Sequence, residues 1–88
     1  MATEKTFTIV GYSCLNGVFK VRYANSVDRT KVLAKNGHTD IWLIQLDSEG
    51  RKEDCVSALL TAIETEGCPE AAKLAIHEEA RKLGFQVE

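Results

Sequence analysis

Cysteine is scarce in this sequence of 88 residues: Cys14, Cys55 and Cys68 are the only three, and none forms a Cys-x-x-Cys pair. Small secreted domains usually carry an even number of cysteines in disulfides, so free thiols in a reducing compartment are expected. Met1–Thr6 has two charged residues and no apolar core, unlike a signal peptide. No apolar run approaches the roughly 20 residues of a membrane-spanning helix. The sequence therefore predicts a cytoplasmic protein that does not enter a membrane.

Motifs that hold phosphates, cofactors or metal ions are also missing. Gly11 and Gly17 are separated by five residues and followed by Val18, which matches neither the Walker nor the dinucleotide-binding pattern. Four residues after His77 stands Arg81, so the second ligand of the metalloprotease helix motif is absent. We therefore expect no cofactor, no metal site and a non-catalytic protein.

Composition indicates one soluble globular domain that spans residues 1–88, because 44% of the residues are hydrophobic and 27% are charged. A domain of this size buries only about 60% of the surface of its unfolded chain. Its stability alone should therefore be marginal, which favours self-association.

Two segments rich in β-branched and aromatic residues, Lys5–Leu15 and Val18–Ala24, flank Asn16-Gly17. Asn-Gly accommodates the positive φ angles of a type I′ turn, so the sequence predicts an N-terminal β-hairpin. A two-residue turn gives the hairpin an apolar face and an opposite face with Lys20 and Arg22.

Phe7 and Ile9 fall on the polar face of this hairpin if the first strand is regular. A β-bulge would return them to the apolar side, and Gly11 is the residue at which we expect it.

The segment after the hairpin has two interpretations. Ser26 is a suitable N-cap, and apolar residues follow at helical spacing, which predicts a short helix over Val27–Asn36 that ends at Gly37. Alternatively, Asn36 and Gly37 turn a second hairpin, and Thr30–Lys35 is a strand. We favour the helix.

Thr39–Leu46 contains the longest apolar run, Ile41–Ile44, with the only tryptophan. Four consecutive apolar residues predict a strand covered on both faces. Two amphipathic helices follow, one from Arg51 to Glu66 and one that starts at Pro69 with Cys68 as its N-cap.

The predicted element order is β-β-α-β-α-α. Layered packing of such elements gives a three-stranded sheet with an N-terminal hairpin and with helices packed on the sheet. We therefore predict an α/β fold of the α+β type.

Charge is distributed unevenly along the chain. Residues 1–46 carry six Lys or Arg and three Asp or Glu, whereas residues 47–88 carry five and ten. Such polarity is typical of an interaction surface for a charged partner or a second copy. We predict that this surface uses a basic set and an apolar set, namely Lys20, Arg22, Arg29, Lys31 and Lys35 with Phe7, Ile41 and Leu43.

Cys68 is the one weak candidate for a catalytic residue. The positive end of a helix dipole would stabilise its thiolate, but a base such as His38 or His77 would also have to lie nearby. Capping or packing is the simpler role for this thiol.

The sequence thus favours a non-catalytic domain that binds another protein or itself, as a homodimer. Two alternatives stay open. Lys20 and Arg22 beside aromatic residues resemble a sheet platform for single-stranded RNA. Cys68 could instead serve a thiol-dependent enzyme.

Overall fold

The computed structural model describes residues 6–25 and 28–86. Its elements, in chain order, are β1 (Phe7–Leu15), β2 (Val18–Ala24), α1 (Arg29–Lys35), β3 (Thr39–Gly50), α2 (Lys52–Glu66) and α3 (Glu70–Lys82). The predicted β-β-α-β-α-α order and the α+β fold are confirmed. Three predicted positions, namely the strand start at Lys5, the N-cap Ser26 and the helix start Val27, lie outside the described residues.

Residues 30–35 are helical, which decides between the two interpretations of this segment. Asn36 and Gly37 end α1, with Gly37 in the left-handed region at φ 90°. The backbone N–H of His38 then donates to the carbonyl of Leu33 at 3.0 Å, a bond that closes the end of the helix. Asn36-Gly37 is thus a helix end and not a hairpin turn.

The strands are ordered β2-β1-β3, and β1 pairs antiparallel with both neighbours. The hairpin is confirmed, with Cys14 opposite Phe19. The cover predicted on both faces of the Trp42 strand is partial: β3 contacts both α1 and α2, but it is an edge strand and residues 41–44 are only half-buried. The strand buried without interruption is β1, from Ile9 to Cys14.

The bulge predicted at Gly11 is also absent. β1 pairs regularly with β2 from Ile9 to Leu15, and its register with β3 shifts only between Phe7 and Ile9 and between Tyr12 and Cys14. The first shift is the irregularity that lets Phe7 pack against the core while Ile9 stays on the opposite face.

Gly11 has a different function in the sheet. A Cβ atom at this position would lie 1.9 Å from the carbonyl oxygen of Trp42 and 2.7 Å from Cδ2 of Leu43. Real Cβ atoms do not approach other atoms so closely, so glycine is required for the close approach of β3.

Helices cover the sheet on both sides. On the α2/α3 face, the core consists of Val10, Tyr12, Cys55, Leu59, Ile63, Ala72 and Ile76. On the opposite face, here called the α1 face, Leu33 of α1 is 2% exposed and Ile9 of β1 is 4% exposed. Ser13 is also on the α1 face, since it alternates with Tyr12, and it is fully buried.

The packing of α2 can be tested with matched leucine substitutions. Leu59→Ala should lower the free energy of unfolding by about 2–5 kcal/mol, because Leu59 is fully buried and its truncation leaves a cavity. Leu74→Ala is the control, since Leu74 is 62% exposed on α3 and its loss should cost less than about 0.5 kcal/mol. Urea denaturation measures both values, and equal losses would contradict this placement of α2.

Candidate interaction surfaces

β3 forms an edge of the sheet that carries no charged residue from Ile41 to Leu46. One side of the strand pairs with β1, and its other side pairs with no strand among the residues that the structure describes. Proteins usually protect such an edge with lysine, proline or a short strand. The two register shifts limit regular pairing with β1 to Trp42–Gln45, and both α1 and α2 contact β3.

The opposite edge, β2, is protected by charge. Lys20 and Arg22 both lie on this strand, opposite Ser13 and Gly11 of β1. Lysine and arginine on an edge strand discourage pairing with another chain. The two edges of the sheet therefore differ in charge, since Ile41–Leu46 of β3 contains no charged residue.

The predicted basic residues come together on one side of the molecule. Lys20 and Arg22 lie on the α1 face of the sheet by their register with β1. The other three, Arg29, Lys31 and Lys35, all belong to α1, which packs beside this face. All five residues therefore lie on the α1 side of the sheet, which is here called the basic surface.

The three predicted apolar residues do not form one surface with this set. Phe7 packs on the α2/α3 face, where its ring centroid is 5.2 Å from that of Tyr23. Ile41 and Leu43 belong to the β3 edge, and the side chain of Leu43 covers Gly11. Of the three predicted apolar residues, these two lie on the edge strand.

The aromatic residues of the strands lie on the face opposite to Lys20 and Arg22. Tyr12 stacks on Trp42 at a centroid distance of 5.5 Å and contacts Phe19 at 5.8 Å, and all three pack against the core under α2 and α3. A platform for single-stranded RNA needs exposed aromatic rings beside the basic groups. In this structure, the aromatic rings and the basic groups lie on opposite faces of the sheet.

A polar cluster that sequence reasoning did not identify lies beneath the basic surface. Arg22 Nε donates to Ser13 Oγ at 2.9 Å, and Ser13 Oγ is 2.9 Å from Nδ1 of His38. Because the hydroxyl accepts from Arg22, its own hydrogen is available for Nδ1 of a neutral His38. The only sequence signal was the hairpin register, which places Ser13 and Arg22 on one face.

Electrostatics favour the neutral form of this imidazole. Desolvation lowers the pKa of His38, and the positive charges of Arg22 and Arg29 lower it further. Desolvation and the charge of Arg29 also lower the pKa of Arg22. Ser13 is fully buried, so the serine–histidine contact is a structural hydrogen bond that no substrate reaches.

Cys68 lacks the environment of an activated thiol. Pro69, not Cys68, occupies the N-cap of α3, so the prediction that Cys68 caps this helix was wrong. Desolvation raises the pKa of the thiol, although Lys73 partly opposes this shift. Sγ of Cys68 donates to the carbonyl oxygen of Pro69 at 3.6 Å, whereas His38 is bonded to Ser13 on the other side of the sheet.

Residues 6–25 and 28–86 contain no group of three or more His, Cys, Asp or Glu side chains that could hold a metal ion. In the same part of the chain, no helix is long and apolar enough to cross a membrane. In comparisons with known proteins, no family model, no curated protein and no solved structure matches this chain.

Iodoacetamide should alkylate Cys68 at pH 7 more slowly than it alkylates free cysteine, because a raised pKa leaves little thiolate. Mass spectrometry of the intact protein over time measures the rate, and Cys68→Ser identifies which modification belongs to this residue. A rate above that of free cysteine would support a reactive thiol.

The polar cluster predicts a pH dependence of stability. The pKa of His38 lies below its usual 6.5, so the native state binds fewer protons than the unfolded state in this range. Stability should therefore fall as the pH is lowered from about 7 towards the folded pKa of His38.

NMR titration of the His38 ring should also show a higher pKa in Arg29→Gln and no change in Lys35→Gln. An unchanged pKa in Arg29→Gln would contradict the proximity of the two groups.

Proposed function

We propose that this chain is a non-catalytic self-association module that forms a homodimer through β3. The observation that carries the proposal is the uncharged edge at Ile41–Leu46. The backbone N–H and C=O groups on the outer side of an edge strand can pair with a further strand. A second copy of β3, related by a two-fold axis, would extend each sheet into a continuous sheet of six strands.

Half-buried apolar side chains support pairing at this edge. Residues 41–44 carry apolar side chains on both faces of β3, and none of the four is fully covered within one chain. A second strand would cover part of the apolar side chains on each face of β3 and remove their surface from water. Pairing would therefore add side-chain burial on both faces to the backbone hydrogen bonds.

Symmetry favours a second copy over an unrelated strand. An antiparallel pair centred on Leu43 places Trp42 opposite the partner's Ile44, and aromatic and β-branched side chains form favourable cross-strand pairs. This register also places Asp40 opposite the partner's Leu46 and Asp47 opposite the partner's Thr39. Carboxylates at the two ends of the segment thus avoid each other, and two-fold dimers are the most common oligomers.

Sedimentation equilibrium at micromolar concentration tests the dimer. The wild-type chain should sediment at twice its mass of 9.7 kDa. Leu43→Lys should sediment as a monomer, because it places two ammonium groups face to face at the two-fold axis. Leu74→Lys is the matched control, since Leu74 is 62% exposed on α3 and away from the edge.

Circular dichroism establishes whether Leu43→Lys folds, because Leu43 also packs over Gly11. If this variant unfolds, Gln45→Lys introduces the charge at an exposed position of the same strand. A wild-type chain that sediments at 9.7 kDa would refute the proposal. A folded Leu43→Lys or Gln45→Lys that stays dimeric would show that the dimer uses another surface.

A further inference from the structure

The end of the hairpin presents apolar and basic side chains together on the α1 face of the sheet. Leu15 lies opposite Val18 across the turn. Lys20 and Arg22 follow Val18 at alternate positions of β2, so all four side chains share this face. α1 packs on β3, and α3 packs on the opposite face of β2. Val18 is 53% exposed and Lys20 is also exposed, so no described element covers them.

A cleft of about 280 Å³ opens at this end of β2. Here called the hairpin cleft, it is lined by Leu15, Asn16, Val18, Lys20 and Arg22. Leu15 and Val18 give it apolar walls, and both of its charged groups are positive. Sites for small organic ligands begin at roughly 300 Å³, so the hairpin cleft suits one apolar side chain of a peptide.

The positive groups of the hairpin cleft have no acidic partners within the part of the chain that the structure describes. β1 and β2 contain no Asp or Glu. Arg22 Nε donates to the neutral Ser13 Oγ, whereas the terminal nitrogens of Arg22 and the ammonium group of Lys20 contact no carboxylate among the described residues. These terminal nitrogens are not buried either, because the one buried and unpaired side-chain nitrogen in this part of the chain is Nε of Arg29. They are therefore accessible to a ligand.

We propose that the hairpin cleft binds an acidic segment of another protein, in which carboxylates stand next to an apolar side chain. The apolar side chain occupies the space between Leu15 and Val18. The carboxylates accept hydrogen bonds from Lys20 and from the terminal nitrogens of Arg22. This site does not involve the outer edge of β3, so it is independent of the proposed dimer.

An acidic peptide fits the hairpin cleft better than a nucleic acid does. Single-stranded nucleic acids stack their bases on aromatic rings, and the rings of the strands lie on the opposite face of the sheet. A long polyanion would also meet the acidic excess of residues 47–88. A short acidic segment needs only the two positive groups and the apolar walls that the cleft provides.

Fluorescence anisotropy of the full chain tests the site with a labelled peptide of Glu, Leu and Ala, in which pairs of Glu flank single Leu residues. The same peptide with Gln in place of Glu is the uncharged blank. Only the acidic peptide should bind saturably in about 0.15 M salt, at which distant charges are screened. Lys20→Glu should weaken binding about tenfold or more, because repulsion replaces attraction. Arg81→Glu makes the same change of charge at an exposed position of α3 and should change affinity less than about twofold.

Val18→Ser tests the apolar wall of the hairpin cleft. It should weaken binding severalfold, whereas Leu74→Ser, at a residue 62% exposed on α3, should leave the affinity unchanged. Circular dichroism establishes that each variant folds, and Val18→Thr, which keeps the β-branched shape, replaces Val18→Ser if the latter unfolds.

Three results would overturn the proposal. The first is no saturable binding of the acidic peptide, or equal binding of the Gln peptide. The second is equal weakening by Lys20→Glu and Arg81→Glu, which would place the peptide elsewhere. The third is tighter, strongly salt-dependent binding of a mixed single-stranded oligonucleotide, which would show a general polyanion surface instead.

Discussion

Burial of the central strand on both faces is the constraint on which this structure depends. Successive residues of a strand point to opposite sides, so the unbroken burial from Ile9 to Cys14 requires a cover on each side of the sheet. Two long helices supply an apolar cover on one face. On the other face, the shorter α1 buries Leu33 and packs on β3, and the central strand has a glycine and a serine on this side. A buried serine needs hydrogen-bond partners, and this requirement explains why Arg22 and His38 turn inwards below the basic surface.

The features that could be predicted from the sequence are those set by neighbouring residues. Asn16-Gly17 determines the turn and hence the register of the hairpin, and both residues have positive φ angles. Gly37 and Gly67 end two helices in the left-handed region, as expected. The apolar stripe of α2 also matches the core, because a helix with one apolar side has a single way to face a sheet.

The features that could not be predicted depend on contacts between distant segments. An apolar run such as Ile41–Ile44 is compatible with a central strand and with an edge strand. Its position depends on which strand pairs with the second side of β1. The alternation of side chains between the two faces of a strand is interrupted at a register shift. The sequence pattern therefore could not locate the shift between Phe7 and Ile9. The contact between Ser13 and His38 joins residues 25 positions apart, and it exists only because α1 returns the chain to the far side of the sheet.

The order of strands in the sheet has a consequence for how the chain folds. β1 and β2 are joined by a two-residue turn, so they can pair within the microseconds typical of hairpins. β3 reaches β1 only after the segment that contains α1 has closed, and closure of a long loop slows such pairing. During this interval the second edge of β1 is open. The β3 of another copy can occupy that edge first, so strand exchange between two chains is the misfolding route to which this topology is most exposed.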